Sequence, residues 1–137
     1  MCIVVGGGEV AERKVKNILL CQGRVKIVSP KLTSKLAELY RQKRIDYVKS
    51  EYSKSLLKGA YLVYAATSDR KVNSIIAKDA ANSGILVNVC DSVRESTFIL
   101  PAVLRKKGIT VAVSTDGISP KKAVRIRDKL LTRAVYT

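Results

Sequence analysis

Three consecutive glycines follow a short apolar run at the start of the chain, and this feature constrains the fold more than any other. Residues Cys2–Val5 are too apolar for a strand with one face in water, so they predict a strand covered on both faces in a parallel sheet. Residues 9–22 carry apolar side chains at helical spacing, and Gly23 follows as a helix stop. The predicted order is therefore strand, glycine turn and helix.

The glycine turn matches the GxGxxG/A fingerprint at Gly6, Gly8 and Ala11. In this motif the first glycine permits a tight turn and the second lets the backbone approach a pyrophosphate. The small third residue lets the helix pack close to the strand. The free N–H groups and the dipole at the helix N-terminus attract the phosphates. We therefore predict that residues 1 to about 91 form a Rossmann-type dinucleotide-binding unit.

Strands and helices continue to alternate along this part of the chain. Further strands are expected at residues 24–28, 45–48, 61–66 and 85–89. Helices are expected around Leu32 to Leu39, as a turn or two at residues 53–58, and from Asp69 to about Asn82, with Ile75, Ile76 and Ala80 facing inward. Such strict alternation indicates the α/β class with a doubly wound parallel sheet.

The pattern changes after Asp91. Two strand-like runs at residues 98–104 and 109–113 are separated by only four residues, which predicts an antiparallel hairpin. Ser119 is a plausible N-cap and Pro120 stands at the first position of a final helix. We expect a dinucleotide-binding Rossmann domain at residues 1–97 and a short β-β-α region at residues 98–137.

The chain is strongly basic, with 26 Lys and Arg against 11 Asp and Glu and a formal net charge of +15. Such a charge attracts polyanions, which include nucleic acid, a phosphate-rich cofactor and a polycarboxylate. The sequence has one Phe, no Trp and no DNA-binding motif, which argues against nucleic acid as the partner.

The chain shows no signal-peptide pattern and no apolar run long enough for a bilayer, so we expect a cytoplasmic protein with no membrane partner.

The chain contains no histidine, and its three cysteines, Cys2, Cys21 and Cys90, are far apart. This predicts no Cys/His metal site, and the cysteines are interpreted as small buried hydrophobic residues. Without histidine, proton transfer near neutral pH falls to a carboxylate, Lys, Tyr, Cys or water.

Asp91 is the leading candidate for a general base. It ends the last strand of the parallel set, and ligands of such sheets bind outside the carboxyl ends of the strands. The alternative is a turn or helix-capping aspartate. Asn88, Asp69 and Ser68 either line the same crevice or are turn and cap residues. The basic residues that follow Ser119, among them Lys121 and Arg125, form either a solvated face or a surface for a multiply charged ligand.

The second strand lacks the acidic residue that usually binds the ribose 2′-hydroxyl, because it ends with Val28, Ser29, Pro30 and Lys31. Ser29 or backbone groups could bind the ribose, while Lys31 could accept a 2′-phosphate. The residues themselves therefore leave NAD and NADP open.

Five blocks together resemble the precorrin-2 dehydrogenase module of siroheme synthases. They are residues 4–15, 65–67, 87–91, 98–101 and 111–120. The resemblance implies NAD-dependent oxidation of precorrin-2 to sirohydrochlorin, with ferrochelatase activity in some members. It assigns the catalytic role to Asp91 and implies that the β-β-α region forms a homodimer. Precorrin-2 carries eight carboxylates, which fits the basic charge of the chain.

The predicted site residues follow from the motifs and the resemblance together. The predicted cofactor contacts are Gly6, Gly8, Glu9, Val10, Ser29, Pro30, Lys31, Ala66 and Thr67. The predicted substrate contacts are Asn88, Ser119, Lys121 and Arg125. A NAD-sensing regulatory Rossmann module is the alternative, since it would keep the glycine turn but need no acid at Asp91.

Overall fold

The computed structural model describes residues 1–133, with side chains described up to residue 130. The chain divides into two compact units, Met1–Phe98 and Ile99–Thr137. This division falls one residue after the boundary expected from the sequence. No helix in the described part of the chain is long and apolar enough to cross a membrane.

The first unit is a five-stranded, fully parallel sheet with helical connections. Its elements are β1 (Cys2–Val5), α1 (Glu9–Leu20), β2 (Val25–Val28), α2 (Ser34–Arg41), β3 (Asp46–Val48), a 3₁₀ turn (Lys54–Leu57), β4 (Leu62–Ala65), α3 (Arg70–Asn82) and β5 (Leu86–Val89). The strand order is β3-β2-β1-β4-β5. The crossovers from β1 and from β4 run in opposite directions along the sheet, so the winding reverses between these strands. The predicted doubly wound Rossmann fold is confirmed.

Successive side chains of the strands point to opposite faces of the sheet and build two cores. Ile3 and Val5 pack on one face with Ile76 of α3. Val4 packs on the other face with Val15 of α1 and Leu36 of α2. Because both faces are covered, the strands read as nearly continuous apolar runs in the sequence.

Two expectations about burial are wrong. Ile75 is 51% exposed, because the inward stripe of α3 consists of Asn73, Ile76, Ala77 and Ala80 at helical spacing. The expected burial of the three cysteines is also wrong, although Cys2 packs against the core on the side of α1 and α2. Cys21 and Cys90 are exposed and Cys2 is half-buried, because Cys21 caps the end of α1 and Cys90 follows the last residue of β5.

The second unit contains β6 (Ala102–Lys106), β7 (Ile109–Val113) and α4 (Pro120–Arg133). The strands are antiparallel and pair Ala102 with Val113. The predicted β-β-α order is correct. The connection has only two residues, Lys107 and Gly108, with φ of 46° and 80°. Positive φ at both positions is typical of tight hairpin turns that match the strand twist.

The predicted start of β6 at Phe98 is wrong. Phe98 belongs to the first unit, where its ring packs edge-to-face on Tyr64 with the centroids 5.7 Å apart. The strand begins only after Pro101, which has no backbone N–H to donate to a ladder.

Candidate functional site

Gly6 follows the end of β1 and packs closely against Ala66, the residue that follows β4. Its φ is +125°, and a Cβ at this position would lie 2.3 Å from the carbonyl oxygen of Ala66. Its N–H donates to the carbonyl of Val28 at 2.9 Å. Only glycine fits both the conformation and the space, so the first glycine of the fingerprint shapes the turn.

Gly7 is packed just as closely, against the loop that follows β2. A Cβ at Gly7 would lie 1.9 Å from the carbonyl oxygen of Lys31 and 2.8 Å from Oγ of Ser29. The Thr33 N–H donates to the Gly7 carbonyl at 3.0 Å. The GxGxxG/A fingerprint assigns no role to Gly7, although this glycine lets the loop after β2 pack against the turn.

Gly8 differs from both, because no atom lies within 4 Å of the position that its Cβ would occupy. It is the N-cap of α1, and it has no side chain to cap the helix. The first N–H groups of an α-helix have no partner within the helix and attract anions. The turn therefore combines two tightly packed glycines with open space at the helix N-terminus, which fits a phosphate group.

The loop after β2 lies beside this turn. Ser29 is buried, and its hydroxyl donates to the Lys31 carbonyl at 2.8 Å. Tyr47 Oη donates to the Ser29 carbonyl at 2.9 Å. Pro30 and Lys31 are exposed. Because the Ser29 hydroxyl is used within its own turn, the exposed residues Pro30 and Lys31 are the predicted cofactor contacts of this loop that are accessible to a ligand.

The turn after β4 is held by Asn73, a residue of α3 that is fully buried. The Thr67 N–H donates to Asn73 Oδ1 at 3.1 Å, and the Thr67 hydroxyl donates to the same oxygen at 2.7 Å. Asn73 Nδ2 donates back to the Thr67 carbonyl at 3.1 Å. Thr67 is a predicted cofactor contact, so Asn73 fixes a segment of the candidate site.

Asp91 lies after β5, and the same Asn73 amide reaches it. Asn73 Nδ2 donates to Asp91 Oδ2 at 3.1 Å, and Arg70 Nη1 lies 3.6 Å from Asp91 Oδ1. Arg70 also pairs with Glu95, which accepts a hydrogen bond from Ser74 at 2.7 Å. The Asp91 side chain is 40% exposed. The carboxylate is thus oriented by one hydrogen bond and one ion pair and is still accessible from solvent.

Asp69 caps α3, which was one of the two possibilities left open by the sequence. Its carboxylate accepts from the N–H groups of Lys71 at 2.7 Å and Val72 at 3.3 Å. Ser68 is exposed beside it. Asp69 therefore starts the helix that carries Asn73 and Arg70.

Asn88 is buried, and both of its polar side-chain atoms bind other protein groups. Lys14 Nζ donates to Asn88 Oδ1 at 3.0 Å, and Asn88 Nδ2 donates to the Phe98 carbonyl at 3.1 Å. The Lys14 ammonium also lies 5.5 Å from the centroid of the Tyr64 ring. Burial lowers the pKa of Lys14 and raises the pKa of Tyr64 to about 12. Asn88 stays a predicted substrate contact, and its hydrogen bonds connect α1 to the segment after β5.

The remaining predicted substrate contacts belong to the second unit. Ser119 Oγ accepts from the Lys122 N–H at 3.4 Å, so Ser119 caps α4 as expected. A pocket of about 420 Å³ lies on this helix and is lined by Ser119, Lys121, Lys122, Arg125, Ile126 and Lys129. A cluster of cations beside a helix N-terminus suits an anionic group.

A larger groove of about 840 Å³ lies between α1 and α2. Its walls combine leucines with charged residues of both helices, and none of the predicted site residues lines it. The glycine turn, Thr67 and Asp91 therefore define the candidate site, and the groove does not.

Sequence reasoning missed Asn73 and Lys14, although each left a signal. Asn73 stands on the inward stripe of α3 with Ile76 and Ala80, and Lys14 stands between Ala11 and Val15 on the inward stripe of α1. A polar residue on the apolar face of a helix needs a buried partner. That requirement identifies both positions as candidates.

Three features together are typical of a dinucleotide-binding protein of the Rossmann type. They are the reversal of the winding between β1 and β4, the packed glycine turn and the open N-terminus of α1. The family assignment agrees with this class. Residues 1–102 match the family described as putative NAD(P)-binding, and the chain belongs to that family.

Known proteins similar to this chain include siroheme synthases. Siroheme synthase 1 of Aeromonas salmonicida is 40% identical over 128 residues, which cover 93% of this chain and 27% of that protein. The siroheme synthase of Chromobacterium violaceum is 40% identical over 129 residues, or 94% of this chain and 27% of that protein. The chain thus spans about a quarter of the length of these relatives. The predicted resemblance to siroheme synthases is confirmed.

A solved structure described as SirC, precorrin-2 dehydrogenase, has a similar fold. It superimposes with a TM-score of 0.83 at 26% identity, covering 96% of this chain and 65% of that one.

Proposed function

We propose that this protein catalyses the NAD-dependent oxidation of precorrin-2 to sirohydrochlorin. The observation that carries the proposal is the Asp91 carboxylate, oriented by Asn73 and Arg70 after β5, on the same sheet edge as the glycine turn. The strand ends at Val5, Ala65 and Val89 are in register across β1, β4 and β5. The similar proteins described as siroheme synthase and precorrin-2 dehydrogenase support the choice of substrate.

The glycine turn would hold the dinucleotide. The open space at Gly8 and the first N–H groups of α1 suit the pyrophosphate, and Glu9 and Val10 flank it. Ala66 and Thr67, after β4, would border the same ligand. When bound, NAD⁺ supplies a hydride acceptor.

Asp91 would take the proton that leaves precorrin-2 in this two-electron oxidation. An accessible carboxylate that accepts one hydrogen bond at Oδ2 keeps lone pairs free for a proton. Arg70, 3.6 Å from Oδ1, would hold the carboxylate in place. The basic residues Lys121 and Arg125 on α4 would bind substrate carboxylates.

The protein is further proposed to be a cytoplasmic homodimer. The second unit exposes large apolar side chains on both strands, on α4 and on the segments that precede β6 and α4, namely Leu100, Val103, Ile109, Ile118, Val124, Ile126 and Leu130. Because so many apolar side chains are exposed on so small a unit, we infer that a second copy of the chain covers them. Sedimentation equilibrium is expected to give twice the mass of the chain, and a monomer at micromolar concentration would contradict the proposal.

The substitution Asp91→Asn tests the catalytic proposal. In an anaerobic assay with precorrin-2 and NAD⁺, we expect at least about a 100-fold loss of turnover, because the amide cannot accept the proton. Dinucleotide affinity, measured by calorimetry, should stay within about threefold. Asp46→Asn, at the exposed start of β3, is the matched control and should keep full activity.

The same experiment separates the enzyme from a NAD-sensing module. A sensor would bind NAD in both variants and give no turnover even with the wild-type chain. Absence of precorrin-2 oxidation with NAD⁺ and with NADP⁺ would refute the proposed function.

The choice of NAD over NADP is tested at Lys31. This exposed lysine, beside the glycine turn, is the available cation for a 2′-phosphate. If NAD is the cofactor, the substitution Lys31→Glu should change the affinity for NAD by only a few fold. The same substitution should weaken the binding of NADP by more than it weakens the binding of NAD. A wild-type chain that binds NADP⁺ more tightly than NAD⁺, and loses that preference in Lys31→Glu, would contradict the proposal.

A further inference from the structure

Asn73 joins the two halves of the candidate site through one buried amide. Its Oδ1 accepts from the Thr67 N–H and hydroxyl at 3.1 and 2.7 Å. Its Nδ2 donates one hydrogen to the Thr67 carbonyl and the other to Asp91 Oδ2, both at 3.1 Å. The side chain is fully buried, so all of its polar atoms bind protein groups rather than water.

We propose that Asn73 is a positioning residue that couples the dinucleotide-side turn at Thr67 to the Asp91 carboxylate. The inference rests on the proposed function, since it gives Asp91 its role. Because the Asn73 amide is planar and rigid, a displacement of the Thr67 turn would move the amide and, through its hydrogen bond, the Asp91 carboxylate. The conformation of the Thr67 turn and the orientation of the Asp91 carboxylate therefore depend on one side chain.

The chemistry of the site requires an amide at this position. The Thr67 N–H and hydroxyl need an acceptor, while the Thr67 carbonyl and Asp91 need donors, and only an amide offers both on adjacent atoms. Arg70 does not replace it. Arg70 lies 3.6 Å from Asp91 and also pairs with Glu95, so its guanidinium is shared between two carboxylates.

The substitution Asn73→Asp keeps the acceptor oxygen of the amide and removes its donor. One oxygen of the new carboxylate still accepts from the Thr67 N–H and hydroxyl, while the other can donate neither to the Thr67 carbonyl nor to Asp91 and repels both. We expect kcat to fall by about 30- to 100-fold, as for a misplaced catalytic group, while NAD affinity stays within about threefold. Ile76→Val, on the same buried stripe of α3, controls for a weakened helix and should keep kcat within about twofold.

A second measurement needs no turnover. Combining Asn73→Asp with Asp91→Asn restores the hydrogen bond between these two positions with its direction reversed, while the donation to the Thr67 carbonyl stays lost. The fall in thermal midpoint caused by Asn73→Asp should therefore recover in part in the double variant. If wild-type protein does not oxidise precorrin-2, the proposed function fails, and this recovery still tests the contact. If Asn73→Asp does not fold, Asn73→Ser, which is too short to reach Asp91, is measured with the same expectation for kcat.

Three outcomes would overturn the inference. The first is a kcat of Asn73→Asp within threefold of wild type. The second is an equal loss of NAD affinity and kcat, which would restrict Asn73 to the Thr67 turn. The third is a double variant no more stable than Asn73→Asp alone.

Discussion

Gly7 and Gly8 are adjacent, and the structure predicts opposite consequences for the same substitution. In Gly7→Ala the new Cβ would lie 1.9 Å from the Lys31 carbonyl oxygen, whereas ordinary contacts begin at 3.4 Å. The loop after β2 must therefore move by more than about 1 Å. Such overpacking costs about 1–3 kcal/mol, and loss of the hydrogen bond between Thr33 and Gly7 adds about 1 kcal/mol.

The expected loss of unfolding free energy in Gly7→Ala is thus about 2–4 kcal/mol. For a domain of this size it corresponds to a fall of at least about 8 °C in Tm. In Gly8→Ala nothing lies within 4 Å of the new Cβ, and the weaker N-cap costs only about 1 kcal/mol or less. The methyl group does, however, occupy the space proposed for the pyrophosphate. Losing one charge-assisted hydrogen bond there weakens NAD binding about 10- to 100-fold.

Thermal unfolding without ligand and calorimetric titration with NAD⁺ measure the two effects separately. The expected pattern is a stability defect in Gly7→Ala and a binding defect in a nearly normally stable Gly8→Ala. A Gly7→Ala protein as stable as wild type would refute the steric argument. A Gly8→Ala protein with unchanged NAD affinity would refute the placement of the pyrophosphate.

Three further predictions concern stability. Burial raises the pKa of Tyr64 to about 12, so ionisation of the Tyr64 ring favours the unfolded chain as the pH rises from about 10 to 12. Over this range the free energy of unfolding in urea should fall by about 2–3 kcal/mol more in the wild-type protein than in Tyr64→Phe. Leu36→Ala should cost about 2–5 kcal/mol in the same assay, because this side chain of α2 is fully buried, and a cost below 1 kcal/mol would contradict its place in the core. Ser119→Ala should speed hydrogen exchange at the Lys122 N–H and cost about 0.5–1 kcal/mol, since the cap of α4 is lost, whereas unchanged exchange would argue against the cap.

Local patterns in the sequence predicted most of the fold. The apolar strand, the glycines and the helical spacing after them lie within a few residues of one another, so their physical constraints can be read along the chain. The same holds for Asp91, because its place after a strand already puts it at the ligand-binding edge of a parallel sheet. The predicted start of β6 was wrong because it depends on a contact that is distant along the chain. The apolar run at residues 98–104 does not show that Phe98 packs on Tyr64 while Ala102 pairs with Val113.

Long-range contacts decided how the candidate site is held together. The Lys31 carbonyl leaves no space for a side chain at Gly7. Asn73 of α3 donates a hydrogen bond to Asp91, which follows β5. Lys14 donates a hydrogen bond to Asn88, which lies 74 residues away along the chain. The sequence by itself determined the doubly wound sheet, the glycine turn and an acid at the sheet edge. Only the tertiary structure decided which buried polar groups orient that acid, because a hydrogen bond across a core depends on the distance between elements and leaves no periodicity in the sequence.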